Sequence, residues 1–253
     1  MTDQTEKMDL NRRDFLKGGS MAGMMAMMAS GATAFKPADA NAQSSKPPIG
    51  PPVKFGVIGC GYHGRDIVGT LAVLPNAPVV AICDHYGAFL RRTGRSAPEA
   101  TKYENYKDLL ADENVEAVVV ATPSHQHKEI VIDALKAGKH VYCEKPLTHT
   151  IAESRELRNL SRSSKVITQT GNQGSASSNL RRSIELIQSD LIGQISNVHV
   201  WHPAHGWPNG GSRPAGEDPT PKGMNWDFWC GPSAMRPYKS GIYHPGKWRG
   251  WYD

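Results

Sequence analysis

Residues 53–71, VKFGVIGCGYHGRDIVGTL, decide the fold of this 253-residue chain. An apolar run, Val53–Ile58, precedes glycines at positions 59, 61 and 64, and an amphipathic stretch follows them. Glycine costs conformational entropy on folding, so a loop with three glycines indicates a place where backbone is needed rather than side chains. We expect a strand, a tight turn and a helix whose free N–H groups and positive dipole end could receive a diphosphate.

Apolar runs and helical patterns alternate after this stretch. The run VEAVVVA at 115–121 is apolar on both faces, as expected of a central parallel strand. Ser124 is the predicted N-cap of a helix that ends at Gly138. This βαβ alternation predicts an α/β fold with a doubly wound parallel sheet of the Rossmann type. The predicted strands are Val53–Ile58, Val79–Cys83, Thr101–Tyr103, Val115–Ala121, His140–Cys143 and Val166–Thr170, and the predicted helices are Arg65–Leu74, Tyr106–Ala111, Ser124–Ala137 and Ile151–Ser163.

An acidic residue closes the second predicted strand. Asp84 lies twenty residues after the last glycine of the loop, and a carboxylate at that place accepts hydrogen bonds from the adenosine ribose and repels a 2′-phosphate. The sequence therefore predicts a dinucleotide cofactor, NAD rather than NADP. The residues predicted to bind it in this part of the chain are Gly59, Gly61, Tyr62, His63, Gly64 and Asp84.

Two further motifs end neighbouring strands. Thr122-Pro123 and Glu144-Lys145-Pro146 fall at carboxyl ends of strands, which line the ligand crevice of an open α/β sheet. Lys145 should face the nicotinamide ring, where a partly desolvated lysine could hold the proton of a substrate hydroxyl. The alternative is that Glu144 and Lys145 form an ordinary ion pair at the strand end.

The segments GVIGCGYHG, ICD and ATPSHQHKEIVIDALKAGKHVYCEKPL together resemble the Gfo/Idh/MocA oxidoreductases, in particular exported bacterial members. The resemblance implies a second α/β domain with a large open antiparallel sheet, and a catalytic or substrate-binding role for Lys145. It also implies that Glu144 and His127 lie near the nicotinamide ribose and that Gln173 contacts the cofactor. Thr122 and Pro123 complete the predicted cofactor site.

The N-terminal region is typical of an export signal. Arg12-Arg13 precede an uncharged Gly-, Ala- and Met-rich stretch, and small residues near position 40 offer a cleavage site. Residues 1–42 resemble a twin-arginine signal, which implies the twin-arginine export machinery as a partner and a periplasmic or otherwise exported protein. Residues 43–52 are expected to form a stiff linker, and residues 53–171 the nucleotide-binding domain.

The last third of the chain predicts an incomplete second domain at 172–253. Gln194–Trp201 is its expected first strand, and the rest of an antiparallel sheet is not found before residue 253, which suggests a fragment. All six tryptophans fall at 201–251. Aromatic rings on loops beside a cleft suit carbohydrate, but the same rings could form a loop core or a subunit interface. The resemblance implies a homo-oligomer when the chain is full length.

Several function classes are disfavoured. The net charge of +5 comes without a basic run, which argues against nucleic acid, and a mean hydropathy of −0.47 argues against a polytopic membrane protein. His199, His202 and His205 do not share a strand face, so no metal site is expected. The alternatives left are a sugar or polyol oxidoreductase that retains and recycles NAD, an NAD-dependent glycosidase, and a non-catalytic nucleotide-binding protein.

Overall fold

A computed structural model of the chain describes residues 50–201, 212–244 and 246–250. The predicted signal at 1–42, most of the linker at 43–52, and His202 and His205 lie outside these residues. No helix of the described part has both the length and the apolar character needed to cross a bilayer.

Six parallel strands form one sheet in the order β3-β2-β1-β4-β5-β6. Strands alternate with helices through β6, and within the described residues short 3₁₀ helices occupy Ser124–Gln126, Gln173–Ala176 and Lys247–Gly250. The strands are β1 (Phe55–Ile58), β2 (Val79–Cys83), β3 (Thr101–Tyr103), β4 (Ala117–Val120), β5 (His140–Glu144) and β6 (Thr168–Gly171), and the α-helices are α1 (Tyr62–Leu71), α2 (Gly87–Thr93), α3 (Tyr106–Ala111), α4 (His127–Lys136), α5 (Ile151–Ser163), α6 (Ser178–Gln188) and α7 (Trp226–Cys230).

The core is divided between the two faces of this sheet. β4 is buried along its whole length, and its side chains alternate between the two sides. Val118 and Val120 pack with α3, α4 and α5, whereas Val119 packs with α1 and α2. Each fully buried valine contributes roughly 1.5–3 kcal/mol relative to an exposed one. The predicted doubly wound Rossmann sheet is confirmed.

Local signals set several boundaries. α5 begins with a capping box, in which Thr150 Oγ1 accepts from the Glu153 N–H at 3.2 Å and Glu153 Oε2 accepts from the Thr150 N–H at 3.1 Å. Gly138 ends the α4 region with φ of +72°. The predicted cap at Ser124 is wrong, because a 3₁₀ turn precedes α4 and no side chain caps either helix.

The predicted strand Gln194–Trp201 is also absent. These residues form neither helix nor strand, and Val198, Val200 and Trp201 are exposed. A strand needs a hydrogen-bonded neighbour, and none of the described residues pairs with this segment. No antiparallel sheet is therefore found in the described part of 172–253.

Instead, the described C-terminal part contains a small aromatic core. Trp226, Tyr238 and Tyr243 are buried together with Met224 and Cys230. The Trp226 and Trp229 rings stack with centroids 4.7 Å apart, and Tyr238 meets Trp226 edge-on at 5.1 Å. The loop-core interpretation of these rings therefore holds for this group.

Candidate functional site

A cleft of about 750 Å³ lies at the carboxyl ends of β1, β2 and β4. This is where the strand order reverses, since β2 and β4 lie on opposite sides of β1. Such a switch point is the usual ligand crevice of an open α/β sheet. Of the residues predicted to bind the cofactor, seven line the cleft: Gly59, Gly61, Tyr62, His63, Asp84, Thr122 and Pro123.

The three glycines of the loop have different structural reasons. Gly59 has φ of +96°, and a Cβ there would lie 2.7 Å from main-chain atoms of Ala121 and Thr122. Gly64 is buried in α1, and a Cβ there would overlap the carbonyl oxygen of Gly59. Gly64 does not line the cleft, so its role is close helix–strand packing rather than the predicted direct contact with cofactor.

Gly61 differs from the other two glycines because neither its backbone conformation nor its packing within the protein requires glycine. Its φ is −63°, and the nearest atom to a Cβ would be the Phe89 ring at 3.9 Å. Gly61 is the N-cap of α1, which has no side-chain cap and no acidic residue in its first turn. Helix N–H groups without intrahelical partners therefore face the cleft beside open space, as an anion site requires.

Asp84 is held firmly at the end of β2. Its Oδ2 accepts from the Cys60 N–H and its Oδ1 from the Tyr86 N–H, both at 2.8 Å. Burial raises the pKa of Asp84, and the two N–H groups and His85 oppose this rise. Each carboxylate oxygen can accept a further bond, so a ribose hydroxyl could still be received. The Cys60 N–H is already used, which leaves the amides from Gly61 onward for an anion.

Unpaired polar atoms collect around this cleft. Four shielded side-chain atoms have no hydrogen-bond partner within the described chain although their residues line it. Native proteins rarely leave such atoms unpaired, so their concentration here indicates a polar ligand. They are His63 Nε2, His85 Nε2, Thr122 Oγ1 and Gln126 Nε2.

The residues at 53–172 match the family model described as an oxidoreductase family with an NAD-binding Rossmann fold. Inositol 2-dehydrogenase of Salmonella typhimurium is 33% identical over 153 residues, which cover 59% of this chain and 46% of that protein. Residues 53–172 are therefore similar in sequence to the Gfo/Idh/MocA oxidoreductases. The chain spans less than half of the length of the curated relatives that it matches.

Solved structures agree with this similarity. Myo-inositol 2-dehydrogenase from Lactobacillus plantarum superposes with a TM-score of 0.54 at 29% identity, covering 57% of this chain and 43% of that one. A 3-ketoreductase from Actinomadura kijaniata in complex with NADP gives 0.54 at 28% identity, covering 56% and 46%. The family is thus NAD(P)-binding, and the comparisons do not select between the two nucleotides.

The E-K-P motif, Glu144-Lys145-Pro146, begins at the last residue of β5. The Glu144 side chain is buried, with Oε1 3.0 Å from His63 Nε2, although the two groups are not aligned for a hydrogen bond. The Lys145 side chain is exposed, which differs from the expected partly desolvated lysine. Within the described residues the ionic contact of Glu144 is with His63, so the ordinary Glu144–Lys145 ion pair is not formed.

His127 lies behind the residues that line the cleft. It is 1% exposed, and its ring nitrogens lie 2.7 Å from the Pro146 carbonyl oxygen and 2.9 Å from that of Thr122. Burial lowers its pKa, while the two carbonyls and Glu144 oppose this. The ring is not part of the cleft lining, and a cofactor contact of His127 stays a prediction. His127 instead ties together the loops that follow β4 and β5.

Of the predicted contacts, Gly64, His127 and Glu144 do not line the cleft, and neither does the predicted catalytic residue Lys145. Gln173 also lies apart from it. It begins the exposed 3₁₀ turn after β6 and does not line the cavity. One wall of the cleft comes from the C-terminal segment, where the sequence left open that aromatic rings lie beside a cleft but named none of them as a binding residue. Its density of aromatic residues was the available signal, but no periodicity located it. This wall includes Phe228, Trp229, His244 and Trp248.

Proposed function

We propose that this protein is an NAD-dependent oxidoreductase that acts on a secondary hydroxyl of a sugar or polyol. The observation that carries the proposal is the single cleft that joins the open N-terminus of α1 at Gly61 to the carboxylate of Asp84. A diphosphate fits the first and a ribose the second, and the unpaired atoms between them need a polar ligand.

The choice of NAD over NADP rests on Asp84. Its two oxygens are fixed by backbone N–H groups, so the carboxylate cannot swing away from the cleft without losing both bonds. A 2′-phosphate would meet this negative charge at close range, whereas free ribose hydroxyls would donate to it. The relative solved with NADP shows that the fold also permits NADP, so the choice depends on the residues of this site.

The chemistry assigned to this chain's own residues is proton handling. A bound nicotinamide supplies the hydride acceptor for the carbinol carbon. Lys145, exposed at the carboxyl end of β5, would accept the proton of the hydroxyl as its neutral amine, so that the alcohol leaves as a carbonyl compound. His127 would act through the main chain, because its contacts with the Thr122 and Pro146 carbonyls hold the loops on both sides of the site.

The proposed substrate class follows from the relatives, two of which are named inositol dehydrogenases. Inositols and sugars both have a ring that carries secondary hydroxyls. The proposed reaction requires only that one of these hydroxyls lies within reach of Lys145. We further propose export by the twin-arginine pathway, which carries folded proteins, and assembly as a homo-oligomer. A compartment without free NAD would require the nucleotide to stay bound and be recycled.

The test measures oxidation of myo-inositol and of common aldoses by the full-length protein with NAD. Lys145→Ala should lower kcat by about 10²-fold or more while leaving NADH affinity within about twofold, because general acid–base groups typically contribute about 10²–10⁴-fold. Lys136→Ala, which removes an exposed lysine at the end of α4, is the matched control and should behave as the unmodified protein. Unchanged turnover in Lys145→Ala would refute its role.

A further inference from the structure

We propose that residues 224–244 form an aromatic strap that holds the adenosine half of the dinucleotide against the carboxyl ends of β1, β2 and β4. The inference rests on the proposed function and adds to it two binding residues of the strap, Phe228 and His244. These residues come from a segment outside the Rossmann domain, and the chemical group they would recognise is a purine nucleoside.

The strap has its own internal support. Trp226 is buried at the centre of the aromatic core, and its Nε1–H donates to the Arg236 carbonyl oxygen at 2.7 Å. Asn225 begins α7, where its Oδ1 accepts from the Phe228 N–H at 2.9 Å. Phe228 and Trp229 are therefore presented on a braced turn rather than on a free loop, so little order has to be gained when they meet a ligand.

One side of the strap contacts the segment that follows β2. The Phe228 ring lies 4.9 Å from the His85 ring, edge to face, and the His244 ring stacks on Phe89 with centroids 5.3 Å apart. Tyr86 also meets His244 edge-on at 6.0 Å. All five side chains line the cleft beside Asp84, the predicted adenosine end.

The other side of the strap reaches the segment that follows β4. The backbone at Gly231 packs directly on the His125 ring, so that a Cβ there would overlap the ring. His125 precedes Gln126, which lines the same cleft as Asp84. The strap thus crosses the crevice from β2 to β4, over the place where a nucleoside would lie.

Unpaired polar atoms lie beneath this crossing. His85 Nε2 and Gln126 Nε2 are shielded from water and have no hydrogen-bond partner among the described residues. Leaving such atoms unpaired is unfavourable, and a bound group that supplies partners removes this penalty. A purine base offers flat faces to Phe228 and His244 and nitrogen atoms at its edge to His85 and Gln126. One chemical group therefore supplies both a surface for ring stacking and partners for the unpaired nitrogen atoms.

The experiment measures NADH release from the full chain by displacement with excess NAD. Loss of a ring that stacks on a base should speed release about tenfold, which is ~1.4 kcal/mol, in Phe228→Ala. Phe228→Tyr keeps the ring and should retain slow release. Met235→Ala is the matched control, because Met235 is exposed, belongs to the strap and does not line the cleft.

The outcomes separate the strap from the proposed function. Tight NADH binding with release unchanged in Phe228→Ala would overturn the strap and leave the proposed function standing. No NADH binding by the unmodified protein would overturn both. If Phe228→Ala fails to fold, Phe228→Leu, which keeps an apolar side chain without a ring, gives the same measurement. Faster release in Met235→Ala to the same extent would also refute a specific role of the cleft-facing ring.

Discussion

Two glycines of the same loop should respond oppositely to alanine. In Gly59→Ala the new methyl group would lie 2.7 Å from backbone atoms after β4, and the residue would have to keep φ of +96°. The unfavourable φ costs about 1–2 kcal/mol and the overpacking about 1–3 kcal/mol. Together these terms lower the free energy of unfolding by about 2–5 kcal/mol.

Gly61→Ala should leave stability almost unchanged. The nearest protein atom to its Cβ is 3.9 Å away, and φ of −63° suits alanine. Alanine restricts the unfolded chain, which stabilises by about 0.4–1 kcal/mol, but it is a poorer N-cap than glycine. These effects oppose each other, so we expect a net change below about 1 kcal/mol.

The affinity for NADH should show the reverse order, with Gly61→Ala the more damaging of the two substitutions. The methyl group of Gly61→Ala would occupy the space through which a diphosphate approaches the N–H groups of α1. An overlap of this kind costs about 1–3 kcal/mol, which weakens NADH binding about 5- to 150-fold. Urea denaturation gives the stabilities and calorimetric titration gives the affinities. Unchanged NADH affinity in Gly61→Ala would refute the reasoning, because it would mean that no ligand approaches there.

Two further predictions concern charge. Asp84→Asn should reduce the preference for NAD over NADP about tenfold, because a charge-assisted hydrogen bond exceeds a neutral one by roughly 1–1.5 kcal/mol. Parallel titrations with NADH and NADPH measure this preference, and an unchanged ratio of the two affinities would contradict the prediction. Burial lowers the pKa of His125, His127 and His244. Unfolded histidine has a pKa of about 6.5, so the unfolded chain binds more protons than the folded chain just below that pH. The free energy of unfolding should therefore fall as the pH drops through this region. Urea midpoints measured from neutral to mildly acid pH check this, and a midpoint that rises on acidification would contradict it.

Much of the sheet could be predicted from local sequence because local and global preferences agree there. Val79–Cys83, Tyr106–Ala111 and Ile151–Ser163 have the predicted bounds, and in the last case the capping box at Thr150 explains the agreement. The helix Gly87–Thr93 was missed, since its 7 residues make only about two turns, it begins with glycine and it has no capping side chain. The predicted bounds of β1 and α1 are shifted by two or three residues.

The candidate site was predictable where it depends on strand ends and less so where it depends on side-chain packing. Gly61 and Asp84 lie in one cleft because parallel strands end at a common edge. The burial of His127 could not be predicted, since it depends on two carbonyl groups nineteen and five residues away in sequence. The contact of Phe228 with His85 joins residues far apart in the chain, and no local pattern encodes such a pair.

The central claim is that a dinucleotide lies in the cleft at the ends of β1, β2 and β4, and a crystal structure of the full chain grown with NADH tests it most directly. The account predicts diphosphate oxygens about 2.7–3.2 Å from main-chain nitrogens at Gly61, Tyr62 or His63, with a ribose hydroxyl donating to Asp84. A cleft filled by the protein's own side chains, or NADH bound elsewhere, would contradict it.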